Sequence, residues 1–173
     1  MNSKKTVFSC ILFLFCVHVL FSQNTYPYKI NSIEKVGYIS FNEKTDNPNF
    51  YLCDEKNVFE YYQVNPRYKE GLKSIQAYFK NHITALNELI KTDGYLTVRF
   101  IINCKGETDR FRVSFVDKNY EKVKINSDFE SKIISLFKKM GQWNPGYFEG
   151  TYFDSYKHII FKISNGKIEE IYP

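Results

Sequence analysis

The stretch GYLTVRFIINCKGETDRFRVSFVD, residues 94–117, decides the fold of this chain. Apolar residues alternate on both sides of the sequence CKGE, and each run points one set of side chains to a single face: Leu96, Val98, Phe100 and Ile102, then Phe111, Val113 and Phe115. Alternation with a period of two is typical of a half-buried strand. Gly106 can supply a positive φ in the turn. The stretch therefore predicts an antiparallel hairpin with one buried face.

Two helical patterns flank the predicted hairpin. Before it, residues 68–83 carry apolar side chains that share one helical face: Leu72, Ile75, Phe79 and Ile83. After it, Ser127 and Glu130 have the spacing of a capping box, and apolar residues continue at helical spacing to Met140. Gly141 can end this second helix in a left-handed conformation. We interpret the apolar stripe of the second helix as core rather than as a cofactor site.

The only tryptophan of the chain follows the second helix, in the sequence GQWNPGYFEG (141–150). We expect Trp143 to fold back and cover the end of the core. Pro145 fixes φ, and Gly146 allows the next turn. A further glycine, Gly150, ends the segment.

A second alternating sequence, YKHIIFKI at residues 156–163, predicts another strand. Asn165 and Gly166 follow it, and this dipeptide is the strongest short signal for a tight hairpin turn. The last residues, KIEEIYP, can return from that turn as a short terminal strand.

The N-terminus has the features of a secretory signal peptide. Lys4 and Lys5 precede an apolar run at residues 7–21, and we place the cleavage site near Gln23. An uncleaved anchor is the alternative. Residues 24–67 are then an N-terminal lead-in with short strands, for which 35–41 and 49–55 are the candidates.

Two cysteines remain after the predicted signal peptide, Cys53 and Cys104. In an exported chain an even pair indicates one disulfide. The alternatives are two unpaired buried thiols and a metal site. Two thiolates without nearby ligand spacing do not complete a tetrahedral zinc shell, so we expect no metal.

Composition and motifs argue against several classes of function. The formal charge of +5 is too mild to indicate nucleic acid binding. Arg99, Arg110 and Arg112 can form an anion site, but we interpret them as outward charges that keep a sheet face soluble. His82 and His158 have no carboxylate or nucleophile placed beside them, so we expect no enzyme and no cofactor. The sequence points to no small-molecule substrate.

Residues 68–173 resemble the C-terminal domain of TonB energy transducers. The resemblance rests on the hairpin at 94–117, the helix sequence FESKIISLFKKMGQW, the sequence WNPGYFEG and the strand sequence HIIFKISNG. The family motif residues that match are Trp143, Pro145, Gly146 and Gly150. The resemblance implies an α+β fold, in which a small antiparallel sheet carries two helices packed on one face.

The resemblance also implies a protein partner. TonB domains capture an extended segment of an outer-membrane transporter by adding it to a sheet edge, which is a physically reasonable mode of binding. The peptide-binding edge strand here would consist of Tyr156, Lys157, His158, Ile159, Ile160, Phe161, Lys162 and Ile163. We therefore expect an exported protein of the periplasm or cell envelope. The alternative is a structural or assembly protein, whose edge is closed by its own C-terminus or by homodimerisation.

The chain departs from an energy transducer in two respects. Such a protein needs a membrane anchor and a long proline-rich linker, whereas this chain has five prolines and none are clustered. Cys53 and Cys104 are additions as well, and a bridge between them would attach the lead-in to the sheet. We therefore expect a binding module that does not transduce energy in the usual way.

Overall fold

The computed structural model describes residues 37–82, 92–141 and 143–173. Their secondary structure in chain order is β1 (Phe59–Glu60), α1 (Tyr61–Val64), α2 (Leu72–His82), β2 (Gly94–Ile102), β3 (Thr108–Asp117), β4 (Lys122–Val123), α3 (Ser127–Lys139), β5 (Gly146–Phe148), β6 (Thr151–Phe153), β7 (Ser155–Ser164) and β8 (Lys167–Tyr172). The predicted signal peptide lies outside the described residues. None of the helices described is long and apolar enough to cross a membrane.

The mixed α+β character predicted from the sequence is confirmed, but the sheet is larger than predicted. Six strands form one sheet in the order β1-β7-β2-β3-β4, with β8 also paired to β7. The pairing of β1 with β7 is parallel, so the sheet is not purely antiparallel. Strands β5 and β6 form a separate two-stranded sheet, which the sequence interpretation missed.

One face of the sheet carries both long helices, as predicted. Residues of β2, β3 and β7 meet the apolar stripes of α2 and α3 in one core cluster, whose most buried side chains include Phe79, Leu96, Phe100, Ile133, Phe137 and Phe161. Phe137 alone has ring contacts to the phenylalanines of four other segments: Phe79, Phe100, Phe111 and Phe161. This aromatic network explains why so many phenylalanines fit a single small core.

The lead-in covers part of the opposite face of the sheet. Ile39 and Val58 pack with Ile101 of β2 and Tyr156 of β7 in a second, smaller core cluster. Successive side chains of a strand point to opposite faces, so Ile101 and Tyr156 face away from the helices while their neighbours in β2 and β7 face toward them. The sheet is therefore covered on both faces, by helices on one and by residues 37–58 on the other.

The prediction of short strands at 35–41 and 49–55 is wrong for the residues described. Residues 37–58 contain no strand. Their backbone amides bond instead to side chains two residues back, as in Lys44 to Asn42 and Asn49 to Asn47. Side chains of Asn and Asp that bond locally in this way compete with strand pairing.

Both predicted helices are present, but the N-cap of α3 is one residue earlier than the predicted Ser127. Asn126 caps α3 and its side chain accepts a hydrogen bond from the amide of Asp128, whereas Ser127 is already helical. At the other end Gly141 has a φ of +81°, as predicted for a left-handed terminator. The predicted helix at 68–83 begins at Leu72, directly after Gly71 with its φ of +92°, and Ile83 lies outside the described residues.

Candidate functional site

The strand predicted to be a free edge lies inside the sheet. Along one side, β2 pairs with β7 from Gly94 opposite Ile163 to Ile102 opposite Ser155. Along the other side, β1 pairs at the start of β7 and β8 pairs over Ile160 to Ser164. The prediction that residues Tyr156 to Ile163 form an open edge is therefore wrong.

A tight turn is the physical reason for this closure. Asn165 and Gly166 have φ values of +50° and +69°, the left-handed pair that such turns require. The chain therefore reverses, and β8 takes the position beside β7 that an added peptide would occupy. The prediction of a short terminal strand is confirmed.

Three residues of β7, Lys157 to Ile159, lie between the stretches covered by β1 and β8, and α1 packs there. The Lys157 ammonium is 4.7 Å from the centroid of the Tyr61 ring. The centroid of the His158 ring is 4.9 Å from the same Tyr61 centroid. Burial lowers the pKa of Lys157. Burial also lowers the pKa of His158, with further contributions from Lys157 and Arg99. Both side chains therefore take part in packing around Tyr61.

Strand β8 is attached to the sheet through both of its faces. Ile168 and Ile171 pack against the main core cluster. Lys162 of β7 contacts the carboxylates of Glu169 at 2.9 Å and Glu170 at 3.2 Å. Among the described residues no strand pairs with the outer flank of β8, so β8 rather than β7 is the edge strand.

The predicted disulfide is confirmed. Cys53 in the lead-in is bonded to Cys104, which follows β2, with a Cα–Cα distance of 6.1 Å. The carboxylate of Asp154 lies beside the bridge, accepting hydrogen bonds from the amides of Asp54 and Cys104 at 2.8 Å each. This buried carboxylate joins the lead-in to the loop after β2 a second time. Both sulfurs are bonded to each other, so they are not available as thiolate ligands.

The lead-in is also attached by an ion pair. Arg112 donates two hydrogen bonds to Asp46, at 2.8 and 2.7 Å, and a third to the carbonyl of Ser40. The Asp46 side chain is 2% exposed. Burial alone would raise the pKa of Asp46, but the hydrogen bonds from Arg112 and from the Asn42 amide outweigh it and the pKa is lowered. The carboxylate is therefore held ionised in the folded protein.

The other two arginines also contact the lead-in. Arg99 donates to the carbonyl of Gly37. Arg110 has a φ of +56° in an irregular position of the β2–β3 pairing, and its guanidinium lies over the Phe41 ring. The interpretation of these arginines as solvated charges is wrong, because all three hold residues 37–58 against the sheet.

The residues that match the TonB family motif lie where the chain leaves α3 and the main core. Trp143 is buried against Tyr68 and Phe100, and its amide donates to the carbonyl of Gly106. Trp143 is thus part of the main core cluster. Gly146 fits closely against α1, because a Cβ there would be 2.4 Å from Cγ2 of Val64.

Beyond this exit, the small sheet of β5 and β6 carries exposed aromatic residues. Tyr147 and Tyr152 face each other across it, with ring centroids 5.1 Å apart. Gly150, with a φ of +85°, lies in its turn. The signal that could have revealed it is the sequence GYFEGTYF, in which aromatic pairs stand on either side of a possible turn.

The remaining histidine is also engaged in local contacts. The His82 ring stacks on Tyr78 at 4.4 Å, and Nδ1 lies 2.7 Å from the Tyr78 carbonyl oxygen. Tyr78 itself donates to the carbonyl of Leu136 in α3. His82 is thus an exposed residue that packs on Tyr78, and it is Tyr78 that bonds to α3.

Comparison of the chain with protein-family models, with curated proteins and with solved structures returns no match. The resemblance to TonB domains consequently stays a prediction from the sequence.

Proposed function

We propose that the protein is a non-enzymatic structural or assembly protein of the cell envelope, in which the flank of β7 is covered by the protein's own C-terminal strand. The observation that carries the proposal is the pairing of β8 with Ile160 to Ser164 of β7. Native proteins commonly cover or blunt long apolar strands at a sheet edge, which protects them against unwanted pairing. The strand that the TonB resemblance assigns to a transporter peptide is therefore not offered as a binding site.

The compartment follows from the bridge between Cys53 and Cys104. A disulfide indicates an exported or otherwise oxidising compartment. Assignment to the periplasm or envelope is the more specific part of the proposal, and it rests on the predicted signal peptide.

The absence of an enzyme activity is supported by the contacts of the two histidines described. His82 and His158 each lie against a tyrosine ring, where imidazole acts as a packing group. General base catalysis needs instead a histidine directed at a nucleophile and oriented by a third group.

A second candidate function is capture of an extended peptide, such as a segment of an outer-membrane transporter, on the outer flank of β8. Its support is that β8 is the longer of the strands at the edges of the described sheet, since the opposite edge ends in the two-residue strand β4. Strand addition would use the backbone groups of Lys167 to Tyr172.

Truncation tests the closed edge. A variant ending at Gly166 lacks β8 and exposes β7, so we expect it to self-associate in light scattering while the full-length chain stays monomeric. Adding the synthetic peptide KIEEIYP should reverse the association by refilling the edge. A truncated chain that stays monomeric, with the unfolding midpoint of the full-length protein, would contradict the proposal. If the truncated chain does not fold, Ile171→Asp in the full-length protein weakens β8 docking and should give the same self-association.

Cross-linking in cells separates the two candidates. A photoreactive residue at Lys167 lies on β8, and a matched one at Lys73 lies on the exposed surface of α2. An adduct with a transporter from Lys167 alone favours peptide capture. Adducts with other envelope proteins favour the assembly role, and absence of adducts from both positions argues against both.

A further inference from the structure

The disulfide belongs to a cluster of three side chains that can ligate a metal ion. The sulfurs of Cys53 and Cys104 and a carboxylate oxygen of Asp154 all lie within 4.8 Å of one another. In the oxidised protein neither sulfur is a thiolate, because the two are bonded to each other. Reduction of the bridge would free both sulfurs directly beside a carboxylate.

The Asp154 carboxylate is oriented by the same two segments that carry the sulfurs. One oxygen accepts a hydrogen bond from the amide of Cys104 itself, and the other accepts one from the amide of Asp54, the neighbour of Cys53. Asp154 is 2% exposed, so its side chain is also held by packing. Ligating carboxylates in metal sites are commonly fixed by hydrogen bonds in this way. Each oxygen keeps a lone pair for an ion after it has accepted one amide.

The dimensions of the cluster suit a tetrahedral ion. Bonds of about 2.3 Å from zinc to sulfur and about 2.0–2.2 Å from zinc to oxygen place neighbouring ligand atoms about 3.5–3.8 Å apart. Side-chain shifts of about 1 Å would bring ligand atoms that lie within 4.8 Å of one another to this spacing. The Cα atoms of Cys53 and Cys104 are 6.1 Å apart, so both side chains can turn toward a common ion.

The ligand types select the metal. Calcium and magnesium are bound by oxygen ligands, whereas zinc is bound by thiolate sulfur together with carboxylate oxygen. Three protein ligands leave the fourth tetrahedral position to a water molecule. Cys53 is exposed and Cys104 is half-buried, so a reductant and an ion can both approach from solvent.

We infer that reduction of the Cys53–Cys104 bridge creates a zinc site formed by the two thiolates and Asp154. The reductant is a thiol: two of its molecules give up two electrons and two protons and join in a new disulfide, while the S–S bond of the protein breaks to give two cysteine thiols. Zn²⁺ then displaces both thiol protons. Because Cys53 belongs to the lead-in and the other two ligands adjoin β2 and β7, the ion would attach the lead-in to the sheet in place of the disulfide.

Absorption spectroscopy with Co²⁺ as a substitute for zinc provides the test. The chain is used with Cys10→Ser and Cys16→Ser, so that Cys53 and Cys104 are its only cysteines, and the bridge is reduced with a phosphine under nitrogen. Co²⁺ should give a thiolate charge-transfer band that saturates at one ion per chain. Zn²⁺ should remove the band with a Kd of about 1 µM or tighter. The oxidised protein should give no band.

Variants test the ligands one at a time. Cys53→Ser should abolish the band, and Asp154→Asn should weaken Zn²⁺ binding by the reduced protein roughly tenfold or more, because it removes one of three ligands. Asp109→Asn is the matched control, since Asp109 is also buried and also accepts a hydrogen bond from a lead-in amide, that of Asn47, but lies outside the cluster. It should bind Zn²⁺ as the unmodified reduced chain does.

Hydrogen exchange gives a second readout, which does not require the Asp154→Asn variant to fold. Reduction should speed exchange in residues 37–58, and Zn²⁺ should slow it again in the reduced protein only. Absence of the cobalt band after reduction, or equal Zn²⁺ binding by the Asp154→Asn variant, would overturn the inference. Exchange that Zn²⁺ leaves unchanged in the reduced protein, or slows equally in the oxidised one, would overturn it too. A negative result leaves the closed-edge proposal standing, because no residue of β8 is involved.

Discussion

The two faces of the central sheet are covered in different ways. On one face, α2 and α3 bury a continuous cluster of aromatic and aliphatic side chains. On the other, residues 37–58 bury a small cluster around Ile101 and Tyr156, and are attached by a disulfide, an ion pair and single hydrogen bonds. The helical face is held by burial spread over many residues, whereas the lead-in face depends on a few specific contacts.

This difference determines how each face responds to change. Loss of buried apolar area weakens a cooperative core as a whole, since its side chains are close-packed. Loss of one specific contact on the lead-in face should release a segment and leave the helices in place. The predictions that follow test this contrast, beginning with the largest expected effect.

Phe137→Ala should cause a loss of about 3–5 kcal/mol in the free energy of unfolding, as large as any expected here, because it removes the ring at the centre of the helical face. Urea unfolding followed by circular dichroism measures it. Phe41→Ala on the lead-in face is the counterpart, and its half-exposed ring should cost about 1 kcal/mol or less. Equal effects of the two changes would remove the contrast between the faces.

Replacing both Cys53 and Cys104 with serine should lower the free energy of unfolding by about 2–4 kcal/mol. Hydrogen exchange should show where the effect falls, with faster exchange in residues 37–58 and little change in α2 and α3. Uniformly faster exchange over the whole protein would mean that the lead-in is not a separate unit of stability.

Asp46→Asn should lower the free energy of unfolding by about 1–3 kcal/mol at neutral pH, since it removes the charge that Arg112 binds. The folded state lowers the pKa of this carboxyl from its ordinary value of 3.8. Its stabilising contribution is therefore complete above the unfolded pKa and is lost as the pH falls through the lower, folded pKa.

Unfolding measured from about pH 7 to pH 2 checks this sign. The difference in stability between the unmodified protein and the Asp46→Asn variant should be largest at neutral pH and shrink below about pH 4. A difference that stays constant with pH would show that ionisation of Asp46 is not responsible.

Lys162→Ala should have the smallest effect, a shift of the urea midpoint too small to resolve, because its ion pairs with Glu169 and Glu170 are exposed to solvent. The neighbouring change Phe161→Ala, on the helical face of the same strand, should cost about 3–5 kcal/mol. A large loss for Lys162→Ala would show that β8 is held mainly by charge.

The helical face could be predicted from the sequence because its signals are local. The alternation at residues 94–117 and the helical spacing of Ile75 and Phe79 depend on nearest neighbours along the chain. The turn at Asn165 and Gly166 was predicted for the same reason.

The lead-in face and the sheet order could not be predicted in this way. The fact that β7 lies between β2 and β8 depends on pairing between residues distant in sequence, such as Leu96 and Phe161. Nothing in the sequence around Asp46 distinguishes it from an acidic residue on the surface, because its partner Arg112 belongs to a strand that is remote along the chain. In both cases the sequence shows which residues are present, but it does not show which distant residues they contact.

The central position of β7 has a consequence for how the chain acquires its structure. Strand β7 is synthesised after β2, β3 and α3, so β2 emerges from the ribosome well before the strand that pairs with it on that side. Long-range pairing of this kind is slow to form. The sheet is thus completed only after β7 has emerged, and until then the phenylalanines of its core are exposed surface that chaperones can shield.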